Sequence, residues 1–540
     1  MCDEYIKDRS EHVLGSLLSH RDSKKLFQVF IRWYDQRIFS LHELCFYIIH
    51  LFSRHMNLFL SQGREMIASI LEFVYDHDVT DEWILVLLSS RFNKDIQMIC
   101  LYYLFTPSLF YRDEGHIDDT YQRIHDSLTN VSSISLLPLR LDESNLYHPI
   151  NISYFYSYMG RDTSRLLTLY SALMYQLFPC LAFSMERKIT TKKRIGLFSS
   201  FLFLNHSVAR DRLGIVKHLC KTFEVYLFTT DESQPREFYN WVMEDVKPHS
   251  IQHVTANTIH EIMKDASLDI LIYPELGMCP QTYLYAHMRF APIQVTTWGH
   301  SETSGIPTID YYISSDYFQS NDRFSETVVH FPSLGTYYYP MDYLCLQEET
   351  VESARRQYEL GDFIYYGILQ NMNKCHPVMI DFMKRVCDGD PRARFVMTVS
   401  EPHTMKLHLE QVFSYPDRVI LFPNLPNDFY FTLLRAIDLL IDTYPFGGCN
   451  TTLDACYVGK MVMTLPSPFL RGRFTYGFYK KMEMIEPICI SMEEWVKKSI
   501  FYANHSEERS LIEQKIKERS YVLFREKNSR VDWEEWINGL

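Results

Sequence analysis

The sequence predicts an α/β protein, with two doubly wound parallel-sheet domains behind an all-α N-terminal domain. Up to about residue 185, apolar residues recur at three- and four-residue spacing and glycine is scarce. Beyond about residue 190, short apolar runs alternate with amphipathic stretches, and after residue 349 that alternation starts a second time. The expected domains are 1–185, 190–345 and 350–540. A chain of 540 residues is too long for one ordinary core, which agrees with several units.

In the first region the spacing predicts helices over Leu26–Trp33, Leu41–Leu60, Glu65–Tyr75, Asp81–Leu88 and Asp95–Tyr103. No convincing repeat at the tetratricopeptide period of about 34 residues is present. Ser132–Pro149 reads as a connection and Asp162–Leu177 as an amphipathic helix. Strands are then expected at Ile195–Ser200, Phe223–Thr229, Leu268–Tyr273, Ile293–Trp298 and Tyr311–Ser314, with helices near 210–221, 237–244, 259–264 and 283–290. After the segment Tyr337–Glu349, further strands are expected at Phe363–Ile368, Arg394–Val399, Val419–Phe422, Leu439–Ile441 and Met461–Thr464. A charged terminal helix runs from about Ser506 to Phe524 and on to Trp536. Two Rossmann-like domains with a cleft between them make the GT-B architecture the natural expectation, with ligands beyond the carboxyl ends of the strands.

Composition narrows the function classes. A net charge of −13 argues against general affinity for nucleic acid or anionic membrane surfaces. The first residues, MCDEYIKDRSEH, lack a basic segment followed by an apolar core, and no apolar run reaches the roughly 18–20 residues of a membrane span. Twelve cysteines are scattered from Cys2 to Cys489 with no C-x-x-C pair, the usage expected of reduced thiols in a cytoplasmic protein. Aromatic residues make up 15% of the chain, which suggests thick helical packing and aromatic-lined clefts.

One stretch, Ile437–Asp454 (IDLLIDTYPFGGCNTTLD), concentrates the chemistry. Leu439–Ile441 reads as a buried strand that the Tyr-Pro and Gly-Gly pairs must end. Asn450, Thr451 or Thr452 is expected to cap a helix carrying Asp454 in its first turn and stopped by Gly459. Strand, glycine loop and helix N-terminus together make an anion site, where free N–H groups and the helix dipole converge on a phosphate; the bland counterpart is an ordinary α/β turn.

From about Lys193 to the end, the chain resembles the catalytic region of glycosyltransferase family 41, the O-linked N-acetylglucosamine transferases and the bacterial adhesin-type cytoplasmic N-glycosyltransferases. The resemblance rests on blocks in the family's order. They are RIGLFSSFLFLNH at 194–206, the Ala291-Pro292-Ile293-Gln294 and Thr303-Ser304-Gly305 elements, Tyr365–Pro377 with Lys374, Arg418–Pro426, Asp442-Thr443, and Asn450-Thr451-Thr452-x-Asp454. Pro445-Phe-Gly-Gly448-x-Asn450 leans toward the N-glycosyltransferase branch, and Thr451-Thr452 is nearer the O-linked branch.

The resemblance implies that Lys374 neutralises the leaving diphosphate and that Asn371 makes a further donor contact. Gly447, Gly448, Asn450, Thr451 and Thr452 would line the phosphates, and Asp454 would accept from a ribose hydroxyl pair. Tyr430 stands where many relatives place a histidine against uracil, and Asn427 where some carry lysine. His206, in the histidine loop, is the first candidate for base or acceptor positioning, with His249 and His300 behind it. Against each stands a plain counterpart: a solvated lysine, a first-turn acid, a helix cap, a surface histidine.

Asp388-Gly389-Asp390 matches the D-x-D signature of metal-holding glycosyltransferases, but before Pro391 it reads as an exposed acidic turn, so no metal and no cofactor is expected. The resemblance thus implies an inverting, metal-independent enzyme that moves glucose or N-acetylglucosamine from a UDP-sugar donor to an Asn or Ser/Thr side chain of a protein or peptide acceptor. It would act in the cytoplasm or in a host's. The alternative is a catalytically degenerate member acting as a helical adaptor.

Overall fold

The computed structural model describes residues 94–141, 148–185, 193–202, 206–230, 249–339 and 350–540. The helices expected at 26–88 and 237–244 lie outside the described residues. The chain divides into two compact units, residues 1–106 with 123–139 and residues 107–122 with 140–540.

The described part of the first unit holds helix α1 (Lys94–Phe105) and the C-terminal part of α2 (Glu114–Val131). The last turn of α1 has no basic residue of its own. Arg123 serves instead, donating to the carbonyls of Leu104 at 2.8 Å and Thr106 at 2.7 Å, which satisfies oxygens a helix end leaves orphaned. Gln97 brackets Leu137, donating to its carbonyl and accepting from its N–H.

In the second unit, a 3₁₀ run at His148–Met159 lies partly within what the sequence suggested was a connection, and helix α3 (Ser164–Leu177) follows. Two parallel sheets come next. The first has seven strands: β1 (Arg194–Phe198), β2 (Glu224–Thr229), β3 (Ser250–His253), β4 (Ile270–Tyr273), β5 (Ile293–Thr297), β6 (Tyr311–Ser315) and β7 (Thr327–Phe331), in the order β3-β2-β1-β4-β5-β6-β7. Helix α4 (Ser207–Leu219) joins β1 to β2. The second has β8 (Ile364–Ile368), β9 (Ala393–Val399), β10 (Val419–Pro423), β11 (Leu439–Ile441) and β12 (Val462–Met463), in the order β10-β9-β8-β11-β12. Its helices include α5 (Pro377–Gly389), α6 (Asn427–Ala436) and α7 (Asn450–Val458).

Central strands are buried along their length, β4 as ILIY and β11 as LLI, as a sheet covered on both faces requires. The two strands that periodicity missed, β3 and β7, are the edges of the first sheet and stay half-exposed, so neither needs a continuous apolar run. The expected terminal helix is broken by a 3₁₀ turn at Ser520–Leu523 and by Arg525 at φ +50°. The final helix, α8 (Lys527–Gly539), returns to the first sheet, where Trp533 and Ile537 pack with Ile195, Leu213 and Val225.

The layers carrying the two sheets share an apolar seam. Phe474 meets Phe318 at 5.1 Å and Trp298 at 5.2 Å between ring centroids. Beside it, the fully buried Arg471 donates to Glu302 and, at 2.7 Å, to the carbonyl of Arg161, while Thr163 donates to the other Glu302 oxygen at 2.6 Å. Burial pushes the Glu302 carboxyl up to about 7 against the opposing pull of Arg471. The carboxyl ends of the two sheets meet where Arg210 of α4 binds Asp454 of α7 at 2.6 Å.

Candidate active site

The site is built on the loop between β11 and α7. Asp438, before β11, is held by Arg355 at 2.6 Å and accepts from the Tyr365 N–H at 2.8 Å. Asp442, after it, turns the chain back: its carboxylate accepts from the Gly448 N–H at 2.6 Å and from the Thr464 hydroxyl at 2.8 Å. Thr443 donates to the Phe446 carbonyl at 2.6 Å, and the Gly447 N–H donates to the backbone carbonyl of Arg471 at 2.9 Å. A Cβ on Gly448 would lie 2.5 Å from the Thr451 hydroxyl oxygen and 3.0 Å from that of Thr452, so only glycine lets the loop close onto the helix start.

Lys374 reaches this loop from the turn after β8. Its ammonium donates to the Gly447 carbonyl at 2.5 Å and sits 4.0 Å from the centroid of the Phe446 ring. Tyr158 stacks on Phe446 at 5.2 Å. Enclosure pulls the ammonium down to about 8, against the opposing charge of Asp442.

Around the cation are polar groups with nothing to bond. The Asn450 side-chain oxygen, the Thr451 hydroxyl and the Gln370 side-chain oxygen are buried without a partner among the described residues. The N–H groups of Asn450, Thr451 and Thr452 are the orphan donors of the first turn of α7. A cation, three orphan N–H groups and unsatisfied side chains, on a loop that lacks side-chain bulk, form a receptor for an anionic, hydroxyl-rich ligand.

No protein-family profile matches the chain. It is 24% identical over 257 residues to a UDP-glucose:protein N-beta-glucosyltransferase of Actinobacillus pleuropneumoniae, covering 46% of this chain and 41% of that one. It is 25% identical over 226 residues to a probable UDP-N-acetylglucosamine–peptide N-acetylglucosaminyltransferase SPINDLY of Solanum lycopersicum, covering 40% and 24%. The matches therefore span less than half the length of these curated relatives. In structure it resembles an O-GlcNAc transferase mutant of Thermobaculum terrenum with a TM-score of 0.64 at 16% identity, over 98% of both chains, so the fold is that of a GT-B glycosyltransferase.

The chain is thus similar in part of its sequence to protein glycosyltransferases, and in fold to one of them.

The remaining residues that the family 41 resemblance singled out divide sharply. Asp454 is buried and bound to Arg210 of α4 at 2.6 Å, with the Tyr338 hydroxyl at 3.4 Å. It is the fifth residue of α7 rather than part of its first turn, and burial raises its carboxyl against the pull of Arg210. Tyr430 lies in the same neighbourhood, its hydroxyl pushed up by burial and by the Asp454 charge. Thr452 shares a hydrogen bond with Thr475 at 2.8 Å, so its hydroxyl belongs to the scaffold. The residue preceding α7 is Cys449, not Asn450, and no side chain caps that helix. Asn371 caps its own 3₁₀ turn, accepting from the Asn373 N–H at 2.9 Å, and Asn427 is exposed at the first position of α6.

His206 is the N-cap of α4, its Nδ1 accepting from the Val208 N–H at 3.3 Å and its ring stacked on Phe201 at 4.7 Å. Burial pulls it down to about 4, which makes it a feeble base at neutral pH. His300 is buried against Tyr154 and likewise drawn to about 4, while His249 precedes β3 at the opposite end of the sheet. In the D-x-D segment, Asp388 pairs with Lys384 and Tyr415, and Asp390 accepts from Tyr366 and Asn504. Among the described residues no cluster of three His, Cys, Asp or Glu could hold a metal.

Sequence reasoning missed Gln370, Arg210, Tyr338 and Phe446. Gln370 and Phe446 adjoin motifs already singled out, but Arg210 and Tyr338 reach Asp454 from sequence distances of 244 and 116 residues.

Proposed function

We propose that the protein transfers glucose or N-acetylglucosamine from a UDP carrier to a protein side chain, with inversion and without a metal. The observation that supports this most is the enclosed Lys374 ammonium facing a glycine loop whose neighbouring polar groups lack partners. Loss of the nucleotide places negative charge on its β-phosphate. A fixed ammonium and the N-terminal N–H groups of α7 stabilise that charge in place of a divalent cation. The Thr451 hydroxyl donates to a phosphate oxygen, and the Asn450 amide, whose oxygen and nitrogen exchange by a half-turn, either donates to phosphate or accepts from sugar. Tyr430 stacks the base, and Asp454 accepts from the ribose.

The acceptor is an asparagine amide or a serine or threonine hydroxyl entering from the first sheet and displacing the diphosphate in line. No helix among the described residues is long and apolar enough to cross a membrane. All nine cysteines among the described residues are free, which supports a reducing, cytoplasmic setting. The test is incubation with a panel of UDP- and GDP-sugars and a peptide library, reading released nucleotide together with the sugar located by mass. The reading predicts UDP release and a modified peptide from UDP-glucose or UDP-N-acetylglucosamine. Release from GDP-sugars alone, or no release at all, would overturn it.

A further inference from the structure

The strand order of the first sheet reverses between β1 and β4, and in doubly wound sheets the crevice beyond that switch point receives a ligand. Two residues meet there. Ser199, just after β1, donates to one oxygen of Glu275, just after β4, at 2.7 Å. Glu275 is only 2% exposed, and its other oxygen, Oε2, is buried with no hydrogen-bond partner among the described residues. The loop after β5 makes room for it: a Cβ on Gly299 would stand 2.3 Å from the Pro274 carbonyl and 3.2 Å from the Glu275 Cβ.

Charged groups act on Glu275, namely Asp211 and Arg212 of α4, and the neutral His300 packs against Gly277, two residues on. Arg212 donates through one nitrogen to the Gly335 carbonyl at 3.1 Å and pairs through another with Asp211 at 3.2 Å, while its Nη2 is buried without a hydrogen-bond partner among the described residues. Arg210, next to Asp211 on α4, binds Asp454 of α7 at 2.6 Å, which brings the start of α4 against the helix that follows the glycine loop. Burial and the Asp211 charge push the Glu275 carboxyl up to about 8, partly offset by Ser199 and Arg212.

We propose that Glu275 is the acceptor-side base, its Oε2 taking the proton of the acceptor side chain. The proposal rests on the UDP-sugar transferase reading. The acceptor nitrogen or oxygen forms its bond to the anomeric carbon, and the bond from that carbon to the diphosphate oxygen breaks. Its electron pair leaves on UDP, and the acceptor's proton ends on the Glu275 carboxylate. The Arg212 charge, itself paired with Asp211 at 3.2 Å, favours the ionised carboxylate, and the Ser199 hydroxyl orients it.

The test compares the wild type with Glu275→Gln, which keeps the shape, and Glu275→Asp, which keeps the acid. Readouts are UDP binding by calorimetry, transfer to peptide, and the pH profile of kcat/KM. Glu275→Gln is expected to bind UDP as the wild type does while transfer slows by about 10²-fold or more. The wild-type kcat/KM should climb toward about 8 and level off, Glu275→Gln should lack that limb, and Glu275→Asp should recover part of the rate. Transfer by Glu275→Gln close to the wild-type rate, the same pH limb in that variant, or loss of UDP binding along with transfer would overturn the proposal. A wild type that releases no UDP from any sugar nucleotide would overturn the transferase reading, and Glu275's role with it.

Discussion

The two sheets face the cleft with opposite kinds of incompleteness. On the second sheet, a single contiguous loop brings together orphan N–H groups and unpartnered polar atoms, and the Lys374 cation is added from the neighbouring strand end. On the first, the polar groups come from three separate strand ends and one helix, and most are engaged: Arg210 with Asp454, Ser199 with Glu275, His206 with its own helix. Under the proposed function, the difference teaches that nucleotide recognition can be carried by a portable local motif, whereas acceptor chemistry depends on how distant segments are assembled.

The seam that assembles them is the largest target. Arg471→Met leaves Glu302 buried without its cation, and a loss of about 3–5 kcal/mol is expected in chemical denaturation. A loss near zero would mean that the seam does not depend on the pair. Next, Lys374→Ala should lower transfer by about 10²–10³-fold with the unfolding midpoint little changed. Unchanged turnover would remove the donor side from the comparison.

Donor affinity should also depend on pH. The Lys374 ammonium, pulled down to about 8, loses its proton as pH rises, so the dissociation constant for UDP should increase roughly tenfold per unit above that value. The slope should vanish in Lys374→Met; calorimetry at several pH values decides. Two adjacent hydroxyls then separate ligand from scaffold. Thr451→Val should weaken UDP binding by about 0.5–1.5 kcal/mol and leave stability alone, because that hydroxyl bonds to nothing among the described residues. Thr452→Val should do the reverse, losing its bond to Thr475. The smallest effect is expected at the D-x-D segment, where Asp388→Asn and excess chelator should both leave transfer unchanged.

How far the sequence disclosed this follows from the same contrast. Leu439–Ile441 and the glycine loop were legible because strand, turn and helix signals lie within 18 residues. The central strands were legible because burial on both faces demands continuous apolar runs. The edges β3 and β7 face water on one side and carry no such mark. The cap of α7 was misassigned because Asp442, six residues before Gly448, already turns the loop, leaving the Asn450 and Thr451 side chains without a structural task. Glu275 and Arg210 were invisible as site residues because their significance lies wholly in partners 76 and 244 residues away.

The Arg210–Asp454 contact has a thermodynamic consequence for the donor. Under the ribose assignment, one oxygen of the carboxylate a nucleoside needs is already engaged by the protein's own guanidinium, which acts as a built-in competitor for that oxygen, tethered at fixed concentration. Apparent affinity is then the intrinsic affinity discounted by the fraction of molecules whose carboxylate is vacant. A nucleotide lacking both ribose hydroxyls would escape that discount, since it has no claim on the carboxylate, and the shortfall between the two ligands would measure how firmly the tether holds.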